Sequence, residues 1–267
     1  MQLNLQNPIN WQSPLNRGLV GWWLNLPNGA WRGGNTFRNL LGRNHGAFTN
    51  SPLWSGAKGR PGGFGSLEFN GSNTLVIASA PSTTRCTVAA WINLRSLGIF
   101  RRAVGIEGSG TLRHILAQSA SVNGRPRFVV ALSGGSTATA EASSALNTNV
   151  WYRWVGTFDG STVRLYINGV QVGSAAASGD LITTDSLVIG GDSTISANEV
   201  TDGWIDDVRY SSRAWSAAEV AYDYQSSRQG NPNELNWERP TRYFLPLEDV
   251  TPTTNRRRRL LICGRAA

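Results

Sequence analysis

Two adjacent aspartates, Asp206 and Asp207, stand in the otherwise apolar stretch "GWIDDVRY", residues 203–210. Paired carboxylates can serve glycoside hydrolysis, one as acid and one as nucleophile or base, or they can hold a divalent cation. Either use requires the two groups to converge. In a regular strand successive side chains alternate, so Trp204, Asp206, Val208 and Tyr210 share one face and Ile205, Asp207 and Arg209 the other. Unless a bulge intervenes the two aspartates diverge, with Asp206 buried and hydrogen-bonded and Asp207 paired with Arg209. Glu199 and Asp202 are three apart, which in a strand also places them on opposite faces. His45 and His114 have no HxH or HxxxH partner, which argues against zinc. No Gly-x-Ser-x-Gly elbow sits in a strand-turn-helix context. The expectation is a chain that is not an enzyme and whose catalytic residues are none.

Sugar binding asks for a flat aromatic platform beside hydrogen-bonding groups. Of the 11 tryptophans, Trp22 and Trp23 are adjacent in a strand-like stretch, so one belongs to the core and the other faces outward. Trp31 and Trp54 lie in a long Gly- and Arg-rich excursion and are expected to be partly exposed. Trp23, Trp31 and Trp54 are therefore the candidate ligand-binding residues. The same excursion contains "GAKGRPGGFG", residues 56–65, which lacks the Gly-Lys-Ser/Thr ending of a phosphate loop and has no helical pattern after it. It reads as a flexible surface loop.

The net charge is +8, and Lys58 is the only lysine. Residues 1–225 carry 17 basic and 13 acidic groups, and residues 226–267 carry 8 and 4, so the last 42 residues hold half of the excess. That asymmetry favours an interaction tail over a basic nucleic-acid-binding domain. The tail has isolated aromatic anchors, Trp237, Tyr243 and Phe244, and ends with Arg256, Arg257, Arg258, Arg259 and then "LLIC", which could add to a neighbouring sheet edge. An N-terminal arm, residues 1–16, offers Ile9, Trp11 and Leu15 among Asn and Pro. Both arms are expected to dock onto protein neighbours, Trp11, Trp237, Tyr243, Phe244 and the four arginines making the contact. No secretory signal is read at the start. No apolar run reaches the roughly 20 residues that span a bilayer, so no membrane insertion is expected. Cys86 and Cys263 are far apart; buried or free thiols and a bridge from tail to core both remain open.

The elements that would position these residues are mostly short strands. They read at 18–26, 66–78 (two strands around Asn70-Gly71), 86–94, 100–107, 112–119, 127–133, 151–158, 162–175, 186–191 and 203–210. The clearest is "TVRLYINGVQVGSA", a hairpin in which Val163, Leu165 and Ile167 alternate with Arg164 and Tyr166 and Asn168-Gly169 supplies a type I′ turn. With Asp159-Gly160 as a second turn, residues 151–175 form a three-stranded meander. One helix is marked by the capping box Ser216 to Glu219 in "SAAEVAYDYQ". A dozen strands and one helix predict an all-β, antiparallel two-sheet sandwich over 17–225 with one short C-terminal helix, an extended N-terminal arm, and an extended basic arm over 226–267.

The stretches "GLVGWWLNL", "GRNHGAFTN", "SLEFNGSNTLVIA", "TVAAWINL", "WYRWVGTFDGSTVRLYINGVQVGS", "LVIGGD" and "GWIDDVRYSSRAWSAAEVAYDY" follow one another over 17–224. In this order they are similar to the laminin-G-like family of the concanavalin A-like lectin/glucanase superfamily. The resemblance implies a jelly-roll sandwich that hosts sugar binding, protein binding, adhesion or glycoside hydrolysis. Hydrolytic relatives carry Glu-x-Asp-x-x-Glu on one strand, a spacing absent here. No cofactor is required; calcium is the ion that relatives bind at the sandwich rim. Where relatives often have Phe-Asp-Gly, this chain has Phe69-Asn70-Gly71, so Asn70, Asp192 and Asp202 are the candidate metal ligands, fewer in charge. Similar modules in phage and other virion proteins imply the leading expectation, a non-catalytic structural or interaction module on a virion or particle surface, docked to capsid protein or copies of itself. The alternative is a glycan-binding lectin or adhesin.

Overall fold

The computed structural model describes residues 2–4, 6–26, 32–33, 36–50, 52–72, 74–77, 79, 82–108, 111–182, 185–192 and 199–238. Along these residues run β1 (Gln2–Leu3), a 3-10 turn (Pro14–Asn16), β2 (Leu19–Trp23), β3 (Arg32–Gly33), β4 (Thr36–Phe37), β5 (Gly46–Thr49), β6 (Leu53–Ser55), β7 (Ser66–Asn70), β8 (Thr74–Ile77) and β9 (Cys86–Leu94). There follow β10 (Arg102–Gly108), β11 (Thr111–Gln118), β12 (Pro126–Ala131), β13 (Thr137–Glu141), β14 (Trp151–Phe158), β15 (Thr162–Ile167), β16 (Val170–Ala176), β17 (Ser186–Ile189), β18 (Asp202–Ser211), α1 (Ala217–Ser227) and β19 (Trp237–Glu238).

They form two antiparallel sheets face to face. One has the order β13-β12-β11-β10-β17-β8-β5-β4-β3, the other β16-β15-β14-β9-β18-β7-β6 with β2 also paired to β18. The 151–175 meander is present as read: β14, β15 and β16 pair in sequence, and Asn168 and Gly169 at the turn have φ of 53° and 84°. β7 and β8 differ from the expected hairpin. The Asn70-Gly71 turn carries the chain from one sheet to the other, so β7 pairs with β18 and β8 with β17 and β5.

Alternation explains the core. Val88, Ala90 and Ile92 of β9, Trp154 and Phe158 of β14, and Val163 and Leu165 of β15 meet Val104, Ile106, Leu116, Phe128 and Val130 from the opposite sheet. Cys86 is a buried thiol in this core, and burial pushes its pKa up; Cys263 lies outside the described residues.

The outer face of the β14-β9-β18 sheet is covered by the chain's own ends. Leu15 and Val220 close on Ala89, Val155, Tyr166 and Trp215. Leu3, Ile9 and Leu235 close on Leu19, Trp22, Leu24 and Leu26. β1 pairs with β19, and Ile9 bridges Leu235. The expectation of outward docking arms is thus corrected at Leu3, Ile9, Leu15 and Leu235: these apolar residues are buried against the chain's own sheet, because an uncovered row of Trp22, Leu24 and Leu26 would otherwise face water. Trp237 packs at the edge of this cluster, 6.0 Å from Phe64, whereas Trp11 is 52% exposed. Tyr243, Phe244 and Arg256 to Arg259 lie outside the described residues.

α1 begins as its capping box requires. The Glu219 amide donates to Ser216 Oγ at 3.2 Å and the Ser216 amide to Glu219 Oε2 at 2.8 Å. Ser216→Ala is expected to cost about 1 kcal/mol, read by chemical denaturation. An unchanged midpoint would mean that packing alone holds the first turn.

Candidate functional site

The aspartate pair is resolved by a β-bulge. β18 pairs with β9 so that Asp206 opposes Trp91 and Arg209 opposes Ala89, with one extra residue between them. Asp207 takes up this extra residue at a φ of 50°, a conformation Asp tolerates better than most side chains. The bulge keeps Ile205, Val208 and Tyr210 in the core and turns both Asp206 and Asp207 to the outer face. The expected divergence is therefore corrected. Arg60 reaches both carboxylates, Nε to Asp206 Oδ2 at 2.8 Å and Nη2 to Asp207 Oδ2 at 3.1 Å. The 56–65 segment is accordingly no mere surface loop, since it delivers a buried arginine.

Around this pair lies a closed ionic network. Asp206 Oδ1 accepts from the Asn25 amide at 3.0 Å and from Asn25 Nδ2 at 2.9 Å. Asp207 accepts from Trp22 Nε1 at 2.6 Å and pairs with Arg209 at 3.1 Å, the pairing read from the sequence. Arg153 donates through Nε and Nη2 to Asp223 of α1, at 2.7 and 3.1 Å, and through Nη1 to the Asp207 carbonyl at 2.6 Å. Arg209 also contacts Asn231, and Glu234 accepts from Ser226. Burial pushes both aspartates up. Around Asp207 the arginines 209, 60 and 153 outweigh it and hold the carboxyl well below the usual range, whereas at Asp206 burial and the neighbouring Asp207 prevail over Arg60. The side chains of Arg60, Arg153, Arg209, Asp206, Asp207 and Asp223 are at most 1% exposed. No glycan reaches carboxylates so enclosed; the network fastens β2, β14, β18, the 60-loop, α1 and residues 231–234 together.

The other predicted site residues do not converge. Trp23 is 1% exposed in the core, packed beside Gly21, so it is no ligand platform. Trp54 is half-buried on β6, its ring lying over Gly56 and Gly65. Trp31 lies outside the described residues. At the rim Asn70 and Asp202 are strand partners, but Asn70 Oδ1 accepts from the Ser72 amide and hydroxyl. The Asp202 carboxylate is taken by Arg95 Nη1 and Ser96 Oγ, each at 2.6 Å, and Asp192 is buried at 3% exposure. Among the described residues no three His, Cys, Asp or Glu side chains are placed to hold a metal ion. His114 is buried against Tyr210, and His45 Nδ1 accepts from the Asn39 amide.

An aromatic cleft appears where the sequence reading placed none. The Asn168-Gly169 turn of the β15-β16 hairpin faces the outer side of α1, enclosing about 360 Å³ between Asn168, Val170, Ala221, Tyr222, Tyr224 and Gln225. Val170 and Tyr222 are 66% and 37% exposed. Tyr224 is backed by Trp91, with ring centroids 5.8 Å apart, and Asn233 Nδ2 donates to Tyr222 Oη at 3.0 Å. Asn168 Oδ1 is committed to the Arg153 amide at 2.9 Å, so its Nδ2 group and the Gln225 amide are the polar groups at the cleft. Two tyrosines with adjacent amides are what a sugar ring needs, an apolar face to stack on and donors at its edge. The signal in the sequence was Tyr222 and Tyr224 flanking the buried stripe of Val220 and Asp223 on a capped helix.

The family model of the concanavalin A-like lectin/glucanases superfamily matches residues 65–221, from the loop before β7 into α1. The chain belongs to this superfamily. No curated protein matches it in sequence. Among solved structures, this superfamily member is similar to domain 4 of AbnA, an extracellular arabinanase of Geobacillus stearothermophilus in complex with arabinotriose, at 16% identity and TM-score 0.57, over 76% of this chain and 97% of that one. The binding domain of Paraclostridial Mosquitocidal Protein 1 aligns at 13% identity and TM-score 0.58, over 82% of this chain and 56% of that one. Trypanosoma rangeli sialidase, in complex with sialic acid, aligns at 16% and 0.57 over 81% of this chain and 34% of that one. The chain thus spans just over half of the toxin domain and a third of the sialidase. At these identities the likeness is one of fold: the all-β antiparallel sandwich with one short helix that the sequence predicts.

Proposed function

We propose that this chain is a non-catalytic carbohydrate-binding module and that the cleft between α1 and the β15-β16 turn holds the sugar. The observation that carries this reading is the pairing of exposed Tyr222 and half-buried Tyr224 with the amides of Asn168 and Gln225 in one cleft. The arabinotriose-bound arabinanase domain and the toxin binding domain, which share the fold, lend support. So does the burial of Asp206 and Asp207, which leaves the pair most suggestive of hydrolysis without access to substrate. Docking through terminal arms has less to recommend it, because Leu3, Ile9, Leu15 and Leu235 pack on the chain's own sheet. The similar structures offer no support for a virion setting.

Saturable binding to at least one oligosaccharide is the expected result of a glycan panel, with Tyr222→Ala weakening it about tenfold, the equivalent of ~1.4 kcal/mol, at unchanged melting. A panel without binding by the folded protein, or binding indifferent to Tyr222→Ala, would remove the cleft from consideration.

A further inference from the structure

From the α1 cleft a path of side-chain amides leads to a second exposed aromatic residue. Tyr222 Oη accepts from Asn233 Nδ2 at 3.0 Å, and the Asn233 carbonyl accepts from Asn10 Nδ2 at 2.7 Å. Trp11 follows Asn10 and is 52% exposed, the most open tryptophan among the described residues. Two carboxylates beside this path face inward: Glu234, which accepts from Ser13 and Ser226, and Asp223, paired with Arg153, are both buried. The exposed polar side chains along it are amides, those of Gln12, Asn233 and, at the cleft, Gln225.

A single exposed tryptophan is ordinary; this one is presented on a fixed seat. Ile9 and Leu15 on either side of it are buried. The Asn10 amide donates to the Glu234 carbonyl at 2.9 Å, and Asn16 Nδ2 to the carbonyls of Glu234 and Asn10 at 2.9 and 2.8 Å. Asn10 Oδ1 accepts from the Gln12 amide at 3.1 Å, which fixes the turn that carries Trp11. None of these bonds uses the indole. A rigid aromatic face beside side-chain amides, each able to donate to and accept from hydroxyls, suits a sugar ring at little ordering cost. One ring stacked on Tyr222 does not also reach Trp11, because Asn233 and Asn10 stand between them.

We propose that Trp11 is a second stacking platform for the ligand of the α1 cleft, so that the protein recognises the interior of a glycan chain, its units running from Tyr222 over Asn233 to Trp11, and not a single terminal sugar. The inference rests on the carbohydrate-binding reading of that cleft; the second platform rests on the exposure and the fixed seat of Trp11. A chain long enough to touch both rings makes its second contact within one complex, so its affinity exceeds that of a short ligand, which engages one ring at a time.

The test follows the Trp11 indole Nε1–H resonance of the full chain in nitrogen-15 spectra, assigned by its loss in Trp11→Phe, during titration with xylo-, cello- and manno-oligosaccharides of two, four and six units. With at least one chain type the six-unit member is expected to shift this resonance saturably and to bind at least tenfold tighter than the two-unit member. Trp11→Ala should erase that gain with length while leaving the two-unit affinity and the melting temperature unchanged, and Trp11→Phe, which keeps an aromatic face, should retain most of it. Tyr222→Ala should weaken binding at every length. Six-unit binding that is lost in Tyr222→Ala while the Trp11 resonance stays unmoved, or affinity independent of length, overturns the second platform and leaves the cleft reading standing. A Trp11 resonance unmoved by every six-unit chain overturns it as well, whereas the cleft reading stands or falls on the glycan panel and Tyr222→Ala.

Discussion

Asp207→Asn is expected to lower the stability of the chain by about 3–5 kcal/mol, and Asp206→Asn by about 1–2 kcal/mol, although the two residues are adjacent and equally buried. Asparagine at 207 keeps the acceptor for Trp22 Nε1 and tolerates the left-handed backbone of the bulge, so the substitution removes little besides the charge. That charge is what Arg209, Arg60 and Arg153 surround. The network holds three arginines, 60, 153 and 209, against four carboxylates, 206, 207, 223 and 234. Burial and the neighbouring Asp207 raise the Asp206 pKa, so of the two adjacent carboxylates Asp206 is the one whose charge its surroundings favour less. Asparagine at 206 relieves the repulsion with Asp207 but turns an amide group toward the donors of Asn25 and Arg60, whereas asparagine at 207 withdraws the charge that three guanidiniums share. For a domain of this size each kcal/mol shifts melting by roughly 2–4 °C, so thermal denaturation followed by circular dichroism should place the two variants on the order of 10 °C apart. Equal losses at 206 and 207 would contradict this distribution of charge.

The parts of the fold that were legible are those in which local chemistry and global packing agree. The meander of β14, β15 and β16 announces itself through strict alternation and an Asn-Gly turn, and α1 through Ser216 and Glu219. β13, by contrast, reads "TATAE", with no large apolar side chain, and is a strand only because β12 supplies its partner and Ala140 its single fully buried contact. The bulge at Asp207 was legible only as an exception to alternation. Its signal, an Asp able to adopt positive φ, is shared by turns everywhere in the chain. Arg60 lies 146 residues from Asp206, and no periodicity links them.

Site residues were less legible for a related reason. Exposure of a tryptophan depends on which sheet face its neighbours leave open, and Trp22 and Trp23 are both buried because the chain's ends cover the face that alternation leaves outside. The same covering recruits Ile9 and Leu15, which as isolated apolar residues look like contacts for a partner, and with them Leu235. Tyr222 and Tyr224 flank a buried stripe of the helix; what makes them a cleft is the β15-β16 turn, which approaches α1 only in the folded chain, Gly169 leaving just 3.3 Å for a Cβ before Tyr224.

Stability is expected to fall by about 3 kcal/mol between pH 6.5 and pH 4 through His114 alone. His114 is enclosed in the core, its Nε2 2.5 Å from Tyr210 Oη and its Nδ1 without a partner. Tyr210 in turn meets Thr83 Oγ1 at 3.2 Å, and none of these groups carries a charge that could stabilise an imidazolium. Burial lowers the His114 pKa from 6.5 to about 3 in the folded chain. Between those values the unfolded chain binds a proton and the folded chain does not, so stability declines as pH falls through this window and is fully retained above it. Asp206, with its raised pKa, acts in the opposite sense at the acid end, and Asp207 in the same sense only below the ordinary carboxylate range. The His114 contribution is therefore isolated as a difference: urea denaturation at pH 7, 6, 5 and 4 on the parent and on His114→Gln, which keeps a polar partner for Tyr210 and cannot titrate. The parent should lose about 1.4 kcal/mol per pH unit below 6 relative to the variant. Parallel pH profiles would mean that the imidazole is protonated in the folded chain, and that the core admits the water or counter-charge needed to keep it so.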